Sequence, residues 1–73
     1  MGKLRILSGA EVCAILASRG FEAVRQRGSH VVMQKRGKES TTSVPVPLHR
    51  ELRTGTLLSV IRQSGLSRDL FEE

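Results

Sequence analysis

The chain has little from which to build a disulfide scaffold, a zinc module or an aromatic stacking platform. Among its 73 residues are one cysteine, no tryptophan, no tyrosine and two phenylalanines. A single thiol, Cys13, can neither close a disulfide framework nor supply the repeated spacing of a zinc site. It reads as a small apolar residue on a helix, with a reactive thiol as the alternative. Long apolar runs are also missing: no stretch approaches the ~20 residues of a membrane-spanning helix, and Glu11 interrupts the early apolar segment. Met1-Gly2 lacks the sixth-position Ser or Thr of a myristoylation signal, that position being Ile6. No membrane role is expected, and the cytoplasm is the expected compartment. Acidic residues are scarce as well, seven against twelve Lys and Arg, for a formal charge of +5. Such a balance points to nucleic acid, an acidic protein or an anionic surface as partner and says nothing about fold. The length fits one domain over residues 1–73. A chain this short buries only roughly 60% of its unfolded surface, so modest stability is expected, with a folded partner able to add to it.

What is present divides into clear elements. Leu7-Ser8-Gly9-Ala10-Glu11-Val12 is a helix start in which Ser8 caps the first amides, Glu11 reaches back, and Leu7 can staple onto Val12. The helix is predicted from Ser8 to about Arg19, with Val12, Ile15 and Leu16 on one face, Arg19 on the last turn and Gly20 as the stop. A strand is predicted over Phe21 to Gln26, a turn at Arg27-Gly28, and a second strand over Ser29 to Lys35. Alternation puts Val31 and Met33 on one side of that strand and His30, Val32 and Gln34 on the other. Thr41 to Val46 forms a third strand with Thr42, Val44 and Val46 on one side. Pro45 and Pro47 lack ladder donors, so this strand belongs at an edge. Thr54 to Gln63 reads as a second helix, capped by Thr54 or Thr56, buried through Leu57, Leu58 and Ile61, and stopped at Gly65. Ser67 can cap a last turn holding Leu70 and Phe71. Helix, three strands as a meander, helix makes an α+β fold: a two-layer α-β-β-β-α domain with both helices on one face of a three-stranded antiparallel sheet. Double-stranded-RNA-binding domains have this architecture.

Chemistry concentrates in Arg25-Gln26-Arg27-Gly28-Ser29-His30. An imidazole titrates near neutrality, so it can take a proton from a ribose hydroxyl or return one to a leaving oxygen. Arg25, Arg27, Lys35, Arg36 and Lys38 surround it in sequence with no acidic residue among them. Arg25, Arg27, Ser29, Lys35 and Arg36 are therefore candidate RNA contacts bordering a His30 face, a solvated charge face being the plainer alternative. His49 lies in the loop after Pro47, where it can orient backbone, meet a partner or contact RNA. The first turn of the second helix, at Thr56, leaves free amides beside hydroxyls, a place for a phosphate unless it is ordinary capping. The two histidines lack a local metal-ligand spacing and only Glu51 lies nearby, so no metal and no cofactor are expected.

Three blocks in order carry a family resemblance: Gly28-Ser29-His30, then Val44-Pro45-Val46-Pro47-Leu48-His49, then Gly55-Thr56-Leu57-Leu58-Ser59-Val60-Ile61-Arg62-Gln63-Ser64-Gly65-Leu66-Ser67. Together they resemble the HicA-type toxins of bacterial and archaeal toxin–antitoxin pairs, over nearly the whole chain. The resemblance implies a double-stranded-RNA-binding-type fold and a ribonuclease that cuts messenger RNA until a HicB-type antitoxin binds it. In that family the histidine of Gly-Ser-His is the single catalytic one, which corresponds to His30. The second proton-transfer group is left open among water, a lysine and His49. The chain departs from many relatives in carrying Val31-Val32-Met33 after the histidine, where an aromatic is common.

A rival of another class is a non-enzymatic RNA-binding module, which the fold permits. The scarcity of aromatics and the absence of a lysine cluster opening the second helix weigh against it. A purely structural basic subunit would leave His30 without a role.

Overall fold

The computed structural model describes residues 2–73. Its elements follow the expected order: α1 (Gly9–Ala17), β1 (Glu22–Arg27), β2 (His30–Arg36), β3 (Thr41–Pro47), α2 (Thr54–Ser64) and a 3-10 turn at Arg68–Phe71. The strands form one antiparallel sheet in the order β1-β2-β3. Val31, Met33, Val44 and Val46 form its buried face and share one core with Val12 and Leu16 of α1 and Leu57, Val60 and Ile61 of α2. Both helices thus cover one side, and the α+β, double-stranded-RNA-binding-like architecture stands. Pro45 and Pro47 lie on edge strand β3, where a missing amide donor breaks no interior ladder.

Several local expectations need correction. The helix α1 ends at Ala17, two residues early, so Arg19 lies past its last turn. Ser18 Oγ donates to Ile15 O, and the Arg19 and Gly20 amides donate to Leu16 O and Ala17 O. These tighter bonds unwind the helix before Gly20, whose φ of +97° turns the chain into β1. The capping box forms as expected, with Glu11 N–H donating to Ser8 Oγ at 3.0 Å and Ser8 N–H to Glu11 Oε1 at 2.8 Å. By contrast, neither Thr54 nor Thr56 caps α2; the helix begins after Arg53, which offers no side-chain cap. Its buried stripe runs Leu57, Val60, Ile61 and Ser64, and Leu58 falls outside it, 39% exposed. Ser67 precedes the last turn without a side-chain cap, its hydroxyl donating to Asp69 instead.

One feature of β1 bears on the site. The pairing slips between Ala23 and Arg25, leaving Val24 as an extra residue. This bulge keeps Ala23 and Gln26, opposite Met33 and Val31, on the helix side of the sheet. Arg25 and Arg27, opposite Val32 and His30, are turned to the other side.

Candidate active site

His30 opens β2 directly after the Gly28 turn, where φ is +58°. Its neighbours Val31 and Met33 are drawn into the core, so strand alternation turns the imidazole outward, and the residue is exposed. Across the sheet it pairs with Arg27 on one side and Pro47 on the other.

Beside it the chain leaving β3 is tied down. Leu48 N–H donates to Ser29 O, Gly9 N–H donates to His49 O at 2.9 Å, and Leu52 N–H donates to Leu7 O at 2.8 Å. These bonds fasten the loop between β3 and α2 to the β1–β2 turn and to the start of α1. As a result His49, far from His30 in sequence, sits with its ring centroid 6.5 Å from that of His30, edge-on at 72°. The crossing is close: a Cβ on Gly9 would run into the Pro47 carbonyl oxygen and lie 2.8 Å from Leu48 Cα. In the sequence Gly9 marks only part of a helix start. Its second role depends on where a distant loop crosses, which no local pattern reveals.

The two histidines line an open cleft of about 520 Å³ closed by Pro45 and Pro47 on the sheet and by Gly55, Thr56, Ser59 and Gln63 on α2. His30, His49 and Thr56 are thereby brought together. The basic candidates divide. Arg27 and Arg25 share the His30 side of the sheet, Arg27 directly opposite His30. Ser29 lies exposed in the turn between them. Arg36 is on the same side but at the far end of β2, roughly 20 Å along the strand at its rise per residue. Lys35 is not on this side. Pairing with Thr42, it points toward the helix layer, where its ammonium lies 5.9 Å from the centre of the Phe21 ring. The same alternation that buries Val31 and Met33 dictates this, since Lys35 is next in that series. Among the described residues, no three His, Cys, Asp or Glu side chains come together as a metal-ligand group, and no helix is long and apolar enough to cross a membrane.

A second, apolar concavity of about 630 Å³ lies between α1 and β1, lined by Ala14, Ala17, Phe21, Ala23 and Met33 among others. Cys13 lies on its wall, half-buried, and burial pushes its thiol pKa up. A raised thiol pKa favours the neutral, packed form over a nucleophilic thiolate.

Fold and site together describe an α-β-β-β-α domain of the double-stranded-RNA-binding type with a histidine-lined cleft at one end of its sheet. A family model described as "HicA toxin of bacterial toxin-antitoxin" matches residues 9–66. The chain therefore belongs to the HicA toxin family of bacterial toxin–antitoxin systems. No curated protein matches it.

Proposed function

We propose that this toxin is a cytoplasmic endoribonuclease that cuts messenger RNA, with His30 as its catalytic histidine and without a metal ion. The observation that carries this reading is the exposed imidazole of His30 in the cleft, paired across the sheet with Arg27. A guanidinium there can hold a phosphate while the imidazole moves a proton. The ribose 2′-hydroxyl is the nucleophile, so the first product is a 2′,3′-cyclic phosphate and a free 5′-hydroxyl. Arg25, Arg27, Ser29 and Arg36 provide the RNA-contacting side, whereas Lys35 is turned away from it. A HicB-type antitoxin, acidic where it meets Arg25 and Arg27, silences the toxin by covering His30.

The test is to incubate purified protein with RNA and with DNA of the same sequence, in EDTA. RNA is cut, DNA survives, and the product ends are cyclic phosphate or its 3′-phosphate hydrolysis product. Loss of cleavage in EDTA, or equal cleavage of DNA, contradicts the mechanism; binding without cleavage returns the chain to the class of RNA-binding modules.

A further inference from the structure

We propose that His49 is the second proton-transfer group of this site, working with His30 as an acid–base pair across a bound phosphodiester. The inference rests on the ribonuclease reading above and adds to it the residue that completes the reaction. An in-line displacement at phosphorus places the attacking 2′-oxygen and the leaving 5′-oxygen on opposite sides of the phosphorus. One side chain cannot serve both oxygens at once, so acid and base must stand apart, each within hydrogen-bond reach of its own oxygen.

The two imidazoles meet that requirement. Their centroids are 6.5 Å apart, too far for a hydrogen bond between the rings. The rings therefore leave each other's nitrogens free, and rotation about their own side-chain torsions lets each reach its own oxygen through a hydrogen bond of about 2.7–3.2 Å. Both residues are exposed and both line the same cleft, so the rings can turn onto a substrate entering between them. The backbones that carry the two rings are held in place. His30 is fixed by the β2–β3 ladder opposite Pro47, and the backbone of His49 is fixed by the Gly9 amide at 2.9 Å.

The protons and bonds balance. One imidazole, neutral, takes the proton of the 2′-hydroxyl as the 2′-oxygen bonds to phosphorus. The bond from phosphorus to the 5′-oxygen breaks, and the other histidine, as imidazolium, gives its proton to that oxygen. Cyclic phosphate and 5′-hydroxyl leave with each histidine in the other's starting state. Hydrolysis of the cyclic phosphate by water runs the transfers in reverse and restores both.

The experiment compares wild type, His30→Ala, His49→Ala and His49→Gln on two substrates: an RNA oligonucleotide, and a ribonucleoside 3′-(4-nitrophenyl) phosphate, whose nitrophenolate departs without needing a proton. Thermal unfolding checks that each variant is folded, and the glutamine variant keeps side-chain bulk where alanine does not. On RNA, the His49 variants fall by roughly 10²- to 10⁴-fold, as does His30→Ala. On the nitrophenyl ester, one position is restored to near the wild-type rate and the other stays slow, which identifies the acid and the base. His49 variants that cut RNA at the wild-type rate, or any pattern on the ester other than one position restored and one slow, overturn the pairing. If His30→Ala itself cuts RNA normally, the ribonuclease reading fails rather than the role of His49 alone.

Discussion

Two glycines in first helical turns are expected to respond to alanine in opposite directions, because their surroundings differ. At Gly9 an added methyl meets the Pro47 carbonyl and Leu48 Cα, backbone atoms that cannot swing aside. Overpacking of this kind costs about 1–3 kcal/mol, more than the helix propensity of alanine returns. At Gly55 nothing lies within 4 Å of the added methyl, and removing a glycine from a helix gains roughly 0.5–1 kcal/mol. Urea denaturation is therefore expected to show Gly9→Ala less stable and Gly55→Ala more stable than wild type; a Gly9→Ala variant as stable as wild type contradicts the crossing described here. The outward turn of His30 is legible in the sequence because Val31 and Met33 must point inward. Its closeness to His49 is not, because it depends on a loop held by amides of Gly9 and Leu48 that leave no mark in local composition.

Elements differ in how strongly their own residues determine them. The start of α1 is written in Ser8 and Glu11, and both capping bonds form. Glu11's carboxyl is held below its ordinary pKa chiefly by the Ser8 backbone amide, then by the Ser8 hydroxyl, with Arg5 adding a smaller attraction. A carboxyl lowered on folding contributes stability that is complete above the unfolded carboxylate range, about 4.3. That contribution is lost as pH falls through the folded value. The Tm difference between wild type and Glu11→Ala is accordingly expected to be constant near neutrality and to narrow below about pH 4; a difference that widens in acid contradicts the capping box as its source. The start of α2 has no such side-chain signature, and the apolar positions 57, 58, 60 and 61 leave its buried face open between Leu58 and Val60 until packing against the sheet buries Val60. The β1 bulge escapes sequence reading for another reason: whether Val24 is an extra residue depends on the partner strand. Without that slip, Ala23 would leave the helix side while Arg25 and Arg27 stayed outward.

For the whole molecule, the +5 charge draws any polyanion, and the fold decides which cations can touch it. Arg27→Glu and Lys35→Glu change the net charge equally, so long-range attraction falls equally in both. Only Arg27 is on the His30 side of the sheet. RNA affinity, and affinity for the proposed acidic antitoxin, are expected to fall further in Arg27→Glu than in Lys35→Glu, with the RNA salt dependence also shallower. Equal losses in the two variants indicate that net charge alone governs binding. An antitoxin affinity unchanged by Arg27→Glu moves the inhibitory contact elsewhere, such as the apolar groove between α1 and β1. Whether the exposed imidazole of His30 carries the chemistry is decided by the single-turnover RNA cleavage rate of His30→Ala, taken beside its unfolding curve. Being exposed, His30 is expected to be replaceable within about 0.5 kcal/mol of stability, while cleavage falls by roughly 10²- to 10⁴-fold. A folded His30→Ala protein that cuts RNA at the wild-type rate shows that His30 is not the catalytic residue.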